Sequence, residues 1–274
     1  TELRQGSKLS VDALAKQNHG QARMTLMANT RSMNYMGKMS ARGWQLGDWL
    51  PQSGLHHFTA QASVKGRGTD FLSDRSSLEA QLCIDSIGYE NWNLGNMGLD
   101  AKLHEGYGQI QINSGNELLD MLANAELRLR NRKLESSSFS MDLNSMDLYA
   151  LHLAKDTMKA SMKMHIEGSS DLRQTHALDA HADHIMLSLK DTTFHPVELG
   201  ARLRLSPDSI LAQASAGDLE LSVRSPHGLD SLNIYAQRLL QEIHTETDSL
   251  RLDQEKLRQM LPTLQVHLLC GTRN

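Results

Sequence analysis

The stretch Met97-Gly98-Leu99-Asp100-Ala101-Lys102-Leu103 alternates apolar and polar residues with a period of two. Side chains alternate between the two faces of a β-strand, so this stretch predicts a strand with one apolar and one hydrated face. The dipeptide Glu105-Gly106 follows, and residues 109–113 then alternate again, with Ile110 and Ile112 on the apolar side. Two-residue connections of this kind join antiparallel strands, so the sequence predicts a β-hairpin.

The same alternation extends along the chain in both directions from this hairpin. Short breaks containing Gly, Asn, Asp, Ser or Pro separate the runs, and Leu122 is the one residue that departs from the pattern in its run. One apolar face is typical of antiparallel sheets, because strands of parallel sheets are buried on both faces. We therefore predict a long antiparallel meander of a dozen or more strands. The further alternating runs are residues 78–84, 121–129, 158–166, 197–205 and 219–224.

The periodicity changes near residue 229. Apolar residues then recur as on one helical face, and a second short helix is predicted over residues 253–261, ended by Pro262. Strand alternation resumes over residues 264–268. We therefore divide the chain into a β-region, residues 1–228, and a C-terminal region, residues 229–274, which belongs to the same domain or caps it. The residues that define the first helical face are Leu232, Tyr235, Ala236, Leu239, Leu240 and Ile243.

The composition excludes several classes of protein. The 274 residues include 28 Lys and Arg against 32 Asp and Glu, a formal charge of −4, so there is no basic excess for binding nucleic acid. No run approaches the roughly 20 apolar residues of a transmembrane helix. Cys83 and Cys270 lie far apart and lack the neighbours of a redox or zinc motif, which indicates two ordinary thiols.

No motif points to catalysis. The sequence contains no Gly-x-Ser-x-Gly nucleophile elbow. Gly66-Arg67-Gly68-Thr69 lacks the Gly-Lys-Ser/Thr that completes a phosphate-binding loop. We therefore expect that the protein is not an enzyme and uses no cofactor.

One cluster of titratable residues has the composition of a metal site. Asp179, His181 and Asp183 share one face of a predicted strand, and two carboxylates with an imidazole can bind a metal ion. We interpret them instead as solvated residues on the outer face, so that no metal site is expected. The apolar parity changes before Ile185 and Leu187, which predicts a bulge or turn near residue 183.

The predicted apolar face is poor in aromatic residues and rich in methionine, of which the chain has 14. Packed cores use bulky, interdigitating side chains, whereas methionine is flexible and accommodates varied partners. The face is therefore suited to flexible apolar ligands such as acyl chains; a β-sandwich core that uses methionine is the alternative. The candidate lining residues are Leu78, Leu82, Ile84, Leu99, Ala101, Leu103, Ile110, Ile112, Met121, Ala123, Leu127, Met158, Met162, Met164, Ile166, Val197, Leu199, Leu203, Leu219 and Leu221.

Several segments resemble the TamB-like and AsmA-like repeat proteins, in the TamB-like form of Bacteroidota. Residues 43–50, GWQLGDWL, are similar to the family's Gly-Leu-Gly-x-x-Leu segment. Residues 63–70, SVKGRGTD, resemble a family strand that ends in a Gly-x-Gly-Thr-Asp turn, and residues 87–94, IGYENWNL, look like the Tyr-containing connector. The resemblance covers residues 41–129 and a C-terminal stretch, 252–274.

The resemblance implies a mainly β fold in which the antiparallel meander is curled into an elongated, β-taco-like groove, with the two short helices near its C-terminus. Family members are anchored in the inner membrane of Gram-negative bacteria, cross the periplasm and meet an outer-membrane barrel partner. They are associated with phospholipid movement and outer-membrane biogenesis. This chain is then expected to be an internal periplasmic segment whose groove, continued by the rest of the full-length chain, shields or conducts phospholipid acyl chains.

Two other functions agree with the same residues. An apolar trough could hold an unfolded strand of an outer-membrane protein, which would make the chain an interaction or chaperone module. A closed β-sandwich would instead serve as a structural scaffold. Unpaired sheet edges could also join two copies of the chain into an edge-strand dimer.

Overall fold

A computed structural model describes residues 7–17, 19–190, 192–228, 234, 237 and 264–271. These residues are mainly β, and the strand pairings within each unit are antiparallel, which confirms the predicted antiparallel meander. The chain divides into two compact units. The first contains residues 1–165 and 183–196, and the second contains residues 166–182 and 197–274.

In the first unit the strands pair in the order of the sequence. Each strand from β1 to β10 pairs with the next one along the chain, except that β5 pairs with both β6 and β7. A short 3-10 helix, Leu46–Asp48, follows β3. The strands are β1 (Lys8–Lys16), β2 (Gln21–Asn29), β3 (Asn34–Gln45), β4 (Leu55–Arg67), β5 (Ser77–Tyr89), β6 (Trp92–Leu94), β7 (Met97–His104), β8 (Tyr107–Gly115), β9 (Leu119–Arg130), β10 (Lys133–Asp147), the first part of β11 (Met158–Ser170), the last part of β12 (His176–Leu189) and β13 (Thr192–Phe194).

Two-residue turns fix the register of several hairpins. Glu105 and Gly106 join β7 to β8 with φ of 49° and 75°, and Asn131 and Arg132 join β9 to β10 with φ of 51° and 59°. Positive φ at both central residues is the hairpin turn whose twist matches that of the flanking strands. The break predicted at Glu105-Gly106 is therefore a tight hairpin turn.

The second unit is also an antiparallel sheet. It contains the remaining parts of β11 and β12, followed by β14 (Leu199–Ser206), β15 (Ser209–Ala216), β16 (Leu219–Ser225) and β17 (Gln265–Cys270). Residues 176–182 of β12 pair with β14, and β14 to β17 pair in the order of the sequence. The predicted C-terminal strand is therefore present, and it pairs with β16.

The two predicted helices near the C-terminus lie outside the described residues, apart from Ile234 and Gln237 of the first. The structure lends them no support, and they remain predictions from the sequence. None of the helical segments in the described part of the chain is long and apolar enough to cross a membrane.

The structure corrects one strand boundary. The run predicted from residue 197 begins as a strand only at Leu199, and Val197 lies in an irregular segment with 48% of its surface exposed. Pro196 precedes Val197 and has no backbone N–H to donate to a strand ladder. Val197 therefore does not belong to the sheet that was predicted to contain it.

The predicted change of parity in β12 is confirmed. His184 has a φ of 50° inside the strand, which is a left-handed conformation that ordinary strand residues avoid. Before it, Ala182 is half-buried, and after it Ile185 is buried and Leu187 half-buried. One irregular residue therefore shifts the apolar positions from even to odd numbers.

Leu118 is the largest side chain that the described residues bury completely, and it lies in the connection between β8 and β9. The Asn116 carboxamide oxygen accepts hydrogen bonds from the amides of Leu118 and Leu119 at 3.2 and 3.0 Å. The Asp147 amide donates to the Leu118 carbonyl at 2.9 Å, which ties the connection to the end of β10. Hydrogen bonds therefore fix the loop that carries the buried Leu118 side chain.

We expect Leu118→Ala to lower the free energy of unfolding by about 2–5 kcal/mol, because it opens a cavity at a fully buried position. Leu122→Ala is the matched control, since Leu122 on β9 is 39% exposed and should change stability by no more than about 0.5 kcal/mol. Urea unfolding followed by circular dichroism measures both. Equal losses in the two variants would contradict the packing described for Leu118.

Candidate apolar ligand-binding face

The register of the first unit places most of its apolar side chains on one side of the sheet, which we call the apolar face. Residues directly opposite each other in neighbouring strands lie on the same face. One row crosses nine strands without a polar interruption: Ala13, Met24, Met39, Ala62, Leu82, Leu99, Ile112, Ala123 and Met141. At roughly 4.8 Å per strand, this row runs about 38 Å along the sheet.

The structure brings most of the predicted lining residues onto this face. The register joins these side chains across strands β5, β7, β8 and β9: Leu78, Leu82, Ile84, Leu99, Ala101, Leu103, Ile110, Ile112, Met121, Ala123 and Leu127. Met158, Met162 and Met164 lie on β11, where they alternate with the exposed side chains of Lys159 and Lys163. The predicted alternation is therefore reproduced in every strand of this group.

The remaining predicted residues belong to the second unit. Leu199, Leu203, Leu219 and Leu221 lie on one face of β14–β16, where the register places them among alanines and Val223. Ile166 lies on β11 and is half-buried. Leu199, Leu219 and Leu221 are exposed, so this face is less covered than that of the first unit.

Sequence reasoning missed the contribution of β1–β4 to the apolar face. The register adds Val11, Met24, Leu26, Met39 and Val64 to it. A period-two signal is present in these strands but is blurred, because apolar residues also occupy the opposite side. Strand pairing, which the sequence alone does not display, assigns each residue to its face.

The apolar face is only partly buried. Met24 and Met39 are opposite each other in the middle of β2 and β3, and they are 44% and 40% exposed. Ala123 and Leu103, by contrast, are nearly inaccessible. A packed protein core leaves few side chains of methionine size this accessible. The face at β2 and β3 is therefore open to contact with an apolar molecule.

Tyr35 is a polar residue on the apolar face. It lies opposite Gly66, and a Cβ atom on Gly66 would come within 2.4 Å of both the Tyr35 hydroxyl oxygen and the Ser77 carbonyl oxygen. The hydroxyl is buried and has no hydrogen-bond partner among the described residues. Burial raises the pKa of the Tyr35 phenol. The ring therefore occupies the space that the missing glycine side chain leaves.

We expect Tyr35→Phe to leave the free energy of unfolding unchanged or to raise it by about 1 kcal/mol, because it removes a buried hydroxyl that forms no hydrogen bond. Gly66→Ala should lower it by about 1–3 kcal/mol, since the added methyl group collides with the Tyr35 ring and with the backbone of β5. Thermal or urea unfolding measures the stability of both variants relative to the wild type. A clear loss of stability in Tyr35→Phe would show that the hydroxyl has a partner.

The opposite side of the sheet is polar, and we call it the polar face. Its central row also crosses nine strands: Asp12, Thr25, Lys38, Ser63, Gln81, Asp100, Gln111, Asn124 and Ser140. A depression of about 940 Å³ lies on this side, with Arg23, Lys38 and Gln61 in its lining. The Gln81 amide donates to Asp100 at 2.8 Å. Met39, Ala62, Leu82 and Met97 also line this depression, so its lining combines hydrogen-bonding and charged groups with apolar ones.

Contacts at both ends of the first unit join loops that lie four strand spacings apart. Asp70, in the loop before β5, pairs with Arg132 in the turn before β10 at 2.5 Å, and Arg132 lowers the pKa of Asp70. At the opposite end of these strands, His152 lies 3.6 Å from Glu90 and tilts against the Tyr89 ring. In a flat sheet β5 and β10 would be about 19 Å apart.

Two of the candidate metal-binding residues on β12, Asp179 and His181, contact other charged side chains. Asp179 binds the guanidinium groups of Arg202, at 2.8 Å, and Arg204, and these hydrogen bonds lower the pKa of Asp179. His181 lies 3.9 Å from Glu198. Among the described residues no group of three or more His, Cys, Asp and Glu side chains is arranged to hold a metal ion.

The two cysteines are free and exposed in the structure. The Cys83 thiol lies 3.5 Å from the Asp85 carboxylate, and this contact raises the pKa of Cys83. A raised pKa keeps the sulfur in its less reactive thiol form. Cys83 lies opposite Gly98 on the polar face, so its thiol does not line the apolar face.

We expect the Asp179 carboxyl group to titrate below the ordinary range, and its pKa to rise in the double variant R202Q/R204Q, where both hydrogen-bonding guanidinium groups are lost. Because the folded pKa is the lower one, Asp179 contributes stability above its unfolded pKa of about 3.9, and that contribution is lost as the pH falls through the folded pKa. NMR titration of the carboxyl carbon measures the shift. An unchanged Asp179 pKa in the variant would contradict the ion pairs.

The comparisons with known proteins give no relative for this chain. No family model matches it, and neither the curated proteins nor the solved structures contain a significant match. The resemblance to TamB-like and AsmA-like proteins therefore remains a prediction from the sequence motifs.

Proposed function

We propose that this chain is a lipid-handling segment whose apolar face shields or conducts phospholipid acyl chains. The observation that carries the proposal is the row of apolar residues in the first unit, which crosses nine paired strands without a polar interruption and leaves Met24 and Met39 accessible on β2 and β3. As the resemblance to TamB-like proteins implies, the segment would belong to a bridge across the periplasm and serve outer-membrane biogenesis.

The physical basis is the transfer of hydrocarbon from water to an apolar surface. Each CH₂ group of an acyl chain that is removed from water gains about 0.8 kcal/mol. Dispersion contacts with leucine, isoleucine, methionine and alanine are non-directional, so they do not hold a chain at one position. A lipid can therefore slide along the face while its headgroup stays in water.

The contacts at the two ends of the first unit support a curled sheet. Asp70 with Arg132, and Glu90 with His152, join loops whose strands would be well separated in a flat sheet. Curling brings side chains of one face towards each other, and apolar-face residues such as Leu99 and Ile112 are half-buried. We propose that the first unit forms part of a β-taco-like groove with the apolar face inside.

The decisive experiment compares two methionines of the same strand. Met39→Glu places a carboxylate on the apolar face, and Met36→Glu places it on the polar face, at positions that are 40% and 47% exposed. Dehydrating a charge is costly, so we expect Met39→Glu to weaken binding of a pyrene-labelled phospholipid by about tenfold or more, equivalent to about 1.4 kcal/mol. Met36→Glu should stay within about twofold of the wild type.

The same measurement separates the other functions. Thermal unfolding of both variants controls for folding, and native mass spectrometry with organic extraction identifies any lipid that purifies with the chain. Equal binding by both variants would exclude the apolar face as the lipid site. Competition by an unfolded outer-membrane protein strand, without lipid binding, would favour the chaperone function. A chain that binds neither ligand would favour a structural scaffold.

A further inference from the structure

The hairpin formed by β2 and β3 concentrates exposed methionines. Five of them lie between residues 24 and 39, all at least 40% exposed: Met24, Met27, Met33, Met36 and Met39. Met186 on β12 is exposed as well. The other described methionines are half-buried: Met97, Met121, Met141, Met146, Met158, Met162 and Met164. Oxidation of a thioether requires access to the sulfur, so the hairpin carries the most accessible group of methionines in the described part of the chain.

The register sorts four of these residues into two pairs. Met24 lies directly opposite Met39 on the apolar face, and Met27 lies directly opposite Met36 on the polar face. Directly opposite residues have Cβ atoms about 4.5–5.5 Å apart. The two pairs therefore have the same composition, lie on the same two strands and are similarly exposed. They differ in the face of the sheet on which they lie.

We propose that Met24 and Met39 form an oxidation site at which a peroxide lowers the affinity of the apolar face for acyl chains. The proposal rests on the proposed function, because it regulates the same face. In each step the O–O bond of hydrogen peroxide breaks and one oxygen atom bonds to the methionine sulfur. The sulfur is oxidised by two electrons to a sulfoxide, and the second oxygen of the peroxide leaves as water.

The surroundings of the two pairs give oxidation different consequences. In their row Met24 and Met39 are flanked by Ala13 on β1 and Ala62 on β4, whose side chains offer no hydrogen-bond donor to a sulfoxide oxygen. The sulfoxides would therefore hold water on the apolar face, and an acyl chain would have to displace it. The pair Met27 and Met36 lies instead in a hydrated row with Ser10 and Lys65, where additional polar groups change little.

The test uses the full chain, hydrogen peroxide and the pyrene-labelled phospholipid. For each protein, the binding affinity after oxidation is divided by its affinity before oxidation. We expect a fall of about fivefold or more in the wild type and in M27L/M36L, and a change of less than about twofold in M24L/M39L, whose leucines cannot be oxidised. Methionine sulfoxide reductases should restore the wild type, and peptide mapping should show faster oxidation at Met24 and Met39 than at Met121 and Met162.

Two results would overturn the proposal. One is an equal loss of affinity in M24L/M39L and the wild type, and the other is oxidation of Met24 and Met39 no faster than that of the half-buried methionines. A wild-type chain that never binds the phospholipid would refute the proposed function together with its regulation. In that case peptide mapping still decides separately whether Met24 and Met39 are preferred oxidation sites.

Discussion

The structure of the first unit depends on one constraint, the continuous antiparallel pairing from β1 to β10. Because side chains alternate with a period of two, a slip of one residue in any pairing would turn that strand's apolar residues to the polar side. The apolar face is therefore a property of the pairing as a whole. Tight turns such as Asn131-Arg132 stabilise it by fixing where each strand begins.

The same constraint explains where the backbone becomes irregular. Gly43 has a φ of 56° at the register shift between Ala41 and Trp44, close to the end of β3. His184 has a positive φ at the position where β12 changes parity. At Gly43 the local irregularity leaves the apolar residues of the neighbouring regular segments on one face. Such bulges are compatible with a continuous face because each is confined to a few residues.

The sequence was sufficient to predict the antiparallel class, most strand positions from residue 78 onwards and the parity change in β12, because each depends on local alternation and turn residues. Val197 was misplaced because the apolar alternation already begins at Val197, whereas the strand begins only at Leu199. The residues of β1–β4 were missed for a different reason. Met27 and Met36 make both sides of β2 and β3 look apolar, and only the pairing shows which side continues into Leu82 and Leu99.

The face on which a residue lies therefore determines its contact with an apolar ligand more strongly than its residue type does. Met36 and Met39 are three positions apart and similarly exposed, yet Met36 lies beside Lys65 and Met39 beside Ala62. An apolar ligand gains contact with a continuous surface only at Met39, because the neighbouring strands extend that surface with alanine and leucine. An isolated apolar side chain among polar neighbours offers too little area to compete with water. A continuous cross-strand row, rather than a count of exposed hydrophobic residues, is thus the feature on which the proposed acyl-chain surface depends.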